Sequence, residues 1–320
     1  MLSVVILCFD RGREMKITNW ADRVQGIKGL DSSRELRFTD KNLDQIIEYI
    51  HINDSMDVLE VGCGTGTLTR KLAKKAKDIT VTGIDMDSKF INYCIEQANL
   101  MNIDNVKYDI GDALSLPYAD NSFNICTSHT VIEHVNNSEF LKEQYRVCKP
   151  NGYVSIMNVR PELALRSKSN DQSQREIDLL TKISGITTIS KIEMNVGNYF
   201  DNPENIMRLF EEIGFKEIQL DVISYVTCID DYRNPYKLKR EIIESEKSSI
   251  IEFIHMGVNM KSGIITCDEK EELLELVNDR FDNRLRMVEN GENKWDFFIS
   301  PMIIITGRKR SSISMGMEID

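Results

Sequence analysis

Positive charge is in short supply along these 320 residues: Lys and Arg number 40 against 51 Asp and Glu, a net charge of −11. There is no long basic run. An acidic chain binds a polyanion poorly unless its charge is sharply segregated, so a nucleic-acid partner is disfavoured. Paired cysteines are also missing. The seven cysteines are scattered, odd in number, and never spaced C-x-x-C. That excludes a disulfide framework or a zinc finger and points to a reduced, cytoplasmic setting. No apolar stretch is long enough to span a bilayer. Leu2 to Phe9 is apolar but far too short, and its basic neighbours follow it, so the secretory pattern is wrong. Residues 1–14 read as an upstream extension or a loosely packed strand. The polar chain proper opens at Met15.

What is present centres on Asp57 to Gly66, Asp-Val-Leu-Glu-Val-Gly-Cys-Gly-Thr-Gly. Val58, Leu59 and Val61 form the short apolar run of a buried parallel strand. Gly62, Gly64 and Gly66 then alternate, allowing a tight turn and close approach of a ligand to bare backbone. Leu68 to Lys77 continues as a helix. Strand, glycine loop and helix form a nucleotide-type cradle at the carboxyl edge of a parallel sheet. The spacing is G-x-G-x-G. A dinucleotide fingerprint needs G-x-G-x-x-G, and a P-loop ends in Gly-Lys-Ser/Thr. Glu60, two residues before the first glycine, repels a pyrophosphate but accepts from an ammonium group. Cys63 is read as small filler within the loop.

The stretch closely resembles the first motif of class I S-adenosylmethionine-dependent methyltransferases, in particular the small-molecule group acting on quinones, phenols and amines. The expected fold is α/β: a Rossmann-like class I methyltransferase sheet with helices on both faces and a helical insertion before the last strand. Residues 79–85 form the second strand, ending in Asp85, nineteen residues after Gly66. A carboxylate at that distance can accept from both hydroxyls of a ribose. Val106 to Ile110 is the third strand, followed by Gly111-Asp112-Ala113. The resemblance implies that Asp112 meets the adenine amino group and that the next amide meets the ring. Ser122 to Thr127 is the fourth strand, with Ser128 and His129 beyond it, where the resemblance implies the transferable methyl lies. Tyr153 to Val159 is the fifth.

The expected cofactor is S-adenosyl-L-methionine, bound by Glu60, Gly62, Cys63, Gly64, Gly66, Asp85, Met86, Gly111, Asp112, Ala113 and Ser128. His129 is the candidate base facing the acceptor, since an ordinary imidazole can take a proton near neutral pH. His129-x-x-x-Glu133-His134 matches neither H-E-x-x-H nor H-x-x-E-H and lacks a third ligand, so no metal is expected. His134 is expected to bond to backbone.

Residues 15–56 read as an amino-terminal helical lid. Ile17 to Val24 resembles a Trp-containing helix that precedes the first strand in that family, with Trp20 and Arg23 over the cofactor. Residues 40–51 form a helix feeding strand one. Residues 57–160 are the cofactor-binding core, and 161–235 complete the sheet, with helices at 175–183 and 202–213 and a strand at 218–229. An insertion over 236–290 holds two helical patterns, at 236–256 and 268–288, read as a cap over the acceptor or as the contact of a homodimer. Residues 291–310 carry the last strand, broken by Pro301 at an edge or bulge, and 311–320 form a polar tail. The function expected is methyl transfer to a small-molecule acceptor by in-line displacement. A protein or peptide methyltransferase, a catalytically inactive methyltransferase-like binding protein and a nicotinamide-dependent oxidoreductase are the alternatives.

Overall fold

The computed structural model describes residues 20–311 apart from Lys77, 168–170, 194–195 and Ser262. The expectations for residues 1–14, for the chain up to Asn19 and for the tail past Ser311 lie outside the described residues. In chain order the elements are helices α1 (Trp20–Arg23), α2 (Ile27–Arg37) and α3 (Asp40–Tyr49), strand β1 (Asp57–Val61), α4 (Thr67–Lys75), β2 (Thr80–Asp85), α5 (Ser88–Leu100), β3 (Val106–Ile110), β4 (Phe123–His129) and α6 (Asn137–Val147). Then follow β5 (Cys148–Val159), β6 (Leu165–Arg166), α7 (Gln174–Glu193), α8 (Pro203–Ile213), β7 (Phe215–Cys228), α9 (Tyr236–Met260), α10 (Cys267–Glu289) and β8 (Phe297–Lys309).

Five strands pair in parallel in the order β3-β2-β1-β4-β5. β8 adds antiparallel to β5, and β7 pairs antiparallel along the whole of β8. Chain order reverses between β1 and β4, so a crevice opens outside their carboxyl ends. Alternation along β1 explains its burial on both sides. Val58 joins the layer with Leu43, Ile46, Leu68 and Leu72 from α3 and α4. Leu59 and Val61 join Phe140, Leu141 and Phe210 from α6 and α8 on the other face. Each such side chain contributes roughly 1.5–3 kcal/mol when fully buried.

Helix ends follow local chemistry. Asn202 caps α8 by accepting from the Asn205 amide, Pro203 opens the helix, and Gly214 closes it in a left-handed conformation (φ 111°). Thr266 and Glu269 form a reciprocal capping box on α10.

Several boundaries differ from expectation. β4 runs two residues further, so Ser128 and His129 lie within the strand. The 175–183 helix extends over Gln174–Glu193. Pro301 lies neither at an edge nor at a bulge: it is paired with Ser224 in the middle of β8. Its carbonyl accepts the Arg160 amide where β5 gives way to β6 on that side. The proline nitrogen points to the same junction, where no ladder donor is needed. Helix α2 lies inside the expected helical lid, where no separate helix is expected over 27–37.

The insertion forms the expected helical hairpin. With α7 it makes a separate apolar cluster of Leu179, Ile183, Ile243, Ile254, Leu273 and Val277. That cluster supports α2. Glu252 of α9 accepts the amides of Gly29 (2.6 Å) and Lys28 (3.2 Å), capping α2 from another part of the chain. Among the described residues no helix is long and apolar enough to cross a membrane.

Removing this cap tests the support. Glu252→Ala should speed amide hydrogen exchange across 27–37, by an opening cost of about 1–2 kcal/mol, while β1 stays protected. Equal exchange in α2 of both proteins would show that the hairpin does not hold that helix.

Candidate functional site

The bend after β1 is built from hydrogen bonds to bare backbone. The amides of Gly62 and Cys63 both donate to the Ile84 carbonyl of β2, at 2.8 and 3.0 Å. Gly62, Gly64 and Gly66 have φ of 71°, 53° and 69°, conformations that strain a residue with a Cβ. At Gly62 an added Cβ would also come within 2.4 Å of Val131. The Gly64 amide donates to Oδ2 of Asp85 (2.9 Å), and Oδ1 accepts from Asp87 (2.9 Å). Asp85 thus fixes the bend to the end of β2.

Beside the bend lies a cavity of about 690 Å³, within the roughly 300–1,000 Å³ of small-ligand sites. Glu60, Gly62, Cys63, Gly64, Asp85, Met86, Gly111, Asp112, Ala113 and His129 all border it. Four strand ends therefore converge on one space. Gly66 and Ser128 do not border it. Gly66 is the left-handed residue that starts α4, packed against Cys94 and Tyr108. Ser128 is buried within β4, opposite Val61 and Ile156.

The three acids differ. Burial pushes the Glu60 carboxyl up to about 7, although hydrogen bonds from Thr69 and the charges of Arg34 and Arg70 pull the other way. Burial pushes Asp85 up to about 6, opposed by the amides of Asp87, Gly64 and Met86. Asp112 is half-buried and accepts the Leu114 amide at 2.8 Å, closing a local turn.

Helices α1 and α2 supply the facing wall: Trp20, Arg23, Leu30, Arg34 and Phe38. Arg34 and Phe38 are site residues that sequence reasoning missed. Leu30, Arg34, Arg37 and Phe38, spaced i, i+4, i+7, i+8, share one helical face, and that spacing was the available signal. Arg34 donates to the Thr130 hydroxyl at 2.8 Å. Burial, then Arg37, lowers its guanidinium to about 9. Asp31 of α2 accepts from Thr67 (2.7 Å), Tyr93 (2.9 Å) and Arg70 (3.1 Å), latching α2 over the start of α4. No residue of α9 or α10 borders the cavity. The hairpin is therefore not a direct cap; it packs behind α1 and α2, which do border the cavity.

His129 is corrected as a base. Its Nε2 lies 3.0 Å from Nη1 of Arg37, so the lone pair there is already engaged by a donor. Burial, then Arg34 and Arg37, lowers the imidazole well below its ordinary value. It stays neutral without being free to take a proton at Nε2. His134 accepts the Gly197 amide at Nδ1 (2.9 Å) and packs against Trp20 with centroids 5.0 Å apart.

A family model described as a methyltransferase domain matches residues 52–214. Over 108 residues the chain is 37% identical to the fatty-acid O-methyltransferase of Mycolicibacterium smegmatis, covering 32% of this chain and 37% of that one. Over 102 residues it is 37% identical to the demethylmenaquinone methyltransferase of Lactobacillus johnsonii, covering 31% and 42%. In both, the match spans less than half of the relative's length. Among solved structures the fold is similar to phosphoethanolamine N-methyltransferase 2 of Haemonchus contortus in complex with S-adenosyl-L-methionine. The TM-score is 0.55 at 16% identity, covering 95% of this chain and 62% of that one.

The raised Glu60 carboxyl predicts a pH signature. A carboxyl whose folded value exceeds its unfolded value contributes stability that is present below the unfolded value, near 4.5, and is lost as pH rises through about 7. Glu60→Gln should therefore lose less stability than the wild type between about pH 5 and 8, by roughly 1–3 kcal/mol in urea unfolding. A steeper loss in the variant would mean that Glu60 is stabilised as the carboxylate.

Proposed function

Because this chain belongs to the methyltransferase-domain family, we propose that it moves a methyl group from S-adenosylmethionine to a small-molecule acceptor. The observation that carries this reading is the convergence of Glu60, Asp85 and Asp112, from three adjacent strand ends, on one cavity beside a glycine bend. The cavity fits the methyl donor in charge as well as size. An amino-acid moiety is a zwitterion, and Glu60 and Arg34 border the same space with opposite charges. Glu60 would take the methionine ammonium and Arg34 the methionine carboxylate. The Asp85 carboxylate takes the amides of Gly64, Asp87 and Met86 and keeps acceptor capacity for a ribose hydroxyl. Asp112 and Ala113 would hold the adenine, with Gly62, Cys63, Gly64, Met86 and Gly111 shaping the wall.

Bound there, S-adenosylmethionine supplies an already activated sulfonium methyl. The protein's part is to hold the acceptor in line and keep water away, and positioning of that kind accounts for much of the rate. Trp20, Leu30, Phe38 and Val131 give that side of the cavity an apolar surface. The acidic balance of −11 supports an acceptor other than a nucleic acid. The spacing of the glycine bend and Glu60 beside it weigh against a nicotinamide dinucleotide, whose pyrophosphate Glu60 would repel.

Thermal shift separates the two ligands, since a molecule that binds only the folded state raises its stability. S-adenosylmethionine should raise the melting temperature and NAD should leave it unchanged. Asp85→Ala should weaken S-adenosylmethionine binding roughly 10–100-fold by calorimetry while the protein stays folded. Unaltered affinity in that variant would remove Asp85 from the ligand contacts and with it the main support for this reading.

A further inference from the structure

One histidine at the cavity wall has its proton placed by its neighbour. Arg37 presents Nη1 to Nε2 of His129 at 3.0 Å. A guanidinium has only N–H donors, so the nitrogen facing it must be the bare one, and the ring proton sits on Nδ1. Both partners are held. The Arg37 guanidinium lies 4.9 Å from the Tyr225 ring centroid, and Phe38 meets the His129 ring edge-on at 5.0 Å. No described residue accepts from Nδ1, and His129 borders the cavity. That N–H is left for whatever fills the space.

The surroundings favour negative charge. Among the described residues neither Arg34 nor Arg37 has a carboxylate within ion-pairing distance. Glu60 and Glu133 act on Arg34 from further away, and burial pushes each up to about 7, so both are partly neutral near that pH. Buried cations without a close counter-ion are costly; the donor's carboxylate relieves that cost at Arg34, and an anionic acceptor relieves it at Arg37. Leu30, Phe38, Val131 and Val135 make the rest of the wall apolar.

Resting on the transferase reading above, we propose that the acceptor is the carboxylate of an apolar acid. It is received by the Nδ1–H of His129 in the field of Arg37, which also positions His129, while Arg34 is paired with the carboxylate of the donor. The reaction balances without a base. A carboxylate oxygen forms its bond to the methyl carbon as the carbon–sulfur bond breaks, and the electron pair stays on sulfur. The products are a methyl ester and a neutral thioether, and no proton moves. An amine would enter as an ammonium ion against the Arg37 guanidinium. A phenol would need a base, and the lone pair of His129 is already engaged.

The test uses the full chain with S-adenosylmethionine and a series of straight-chain carboxylic acids from short to long, beside alkylamines and alkylphenols of matched length. S-adenosylhomocysteine release is measured after calorimetry has established donor binding. Acids should be turned over, with amines and phenols at least roughly tenfold slower. His129→Asn, which keeps an N–H near the Nδ1 position, should stay within about tenfold of wild type in kcat/KM, whereas His129→Ala should lose roughly 10–100-fold. A base would be lost equally in both. Independently of turnover, long-range ¹⁵N–¹H correlation of the four histidines should show His129 protonated at Nδ1, and Arg37→Met should shift it toward Nε2–H. An Nε2–H ring in the wild type overturns the proposal. Acids left unmethylated by protein that binds the donor overturn it too and spare the transferase reading. No binding of the donor defeats both.

Discussion

The site depends on one carboxylate placed between two strands. Asp85 takes the Gly64 amide on one oxygen and the Asp87 amide on the other. The first bond holds the glycine bend against the end of β2. The second shapes the start of α5, where Asp87 in turn caps the helix through Lys89 and accepts the Ala21 amide of α1. A few hydrogen bonds thus run from the bend to the facing helix. Their shared acid is half-buried and pushed by desolvation up to about 6, a cost offset by the three amides aimed at it.

The wall has two origins. Sheet ends contribute acids and bare backbone, and they are rigid because β1, β2 and β4 are paired on both sides and β3 is paired along β2. The helices before β1 contribute cations and apolar groups, held by Asp31 toward α4 and α5 and by Glu252 toward α9. Opposite charges therefore arrive from opposite sides, which suits a ligand carrying both signs. It also suits an acceptor whose charge is cancelled as it reacts with a sulfonium group.

The sheet half was readable in the sequence because its signals are local. An apolar run, alternating glycines and an acid at the end of each following strand are fixed by spacing alone, and Glu60, Asp85 and Asp112 do converge. Ser128 and Gly66 were misplaced for local reasons. β4 continues two residues beyond the expected end, so Ser128 lies inside the sheet and His129 at its rim. Gly66 serves the backbone turn into α4. The helical half was not readable. α2 has few apolar residues, and its Arg37 is buried by elements distant in sequence. The role of His129 depended on Arg37, 92 positions away, and no periodicity announces that contact. The hairpin was found from its length and apolar spacing, but its target, an amide 223 positions from Glu252, was not.

The hairpin reaches the cavity through α1 and α2, and this divides the inheritance of the site. Replacing or lengthening α9 and α10 would displace Leu30, Arg34, Arg37 and Phe38 together, as one rigid rod, while the acids at the strand ends stayed where they are. Acceptor preference is then free to drift through changes far from any reacting atom, while the donor's contacts at the strand ends, though not the one from Arg34, are insulated from that drift.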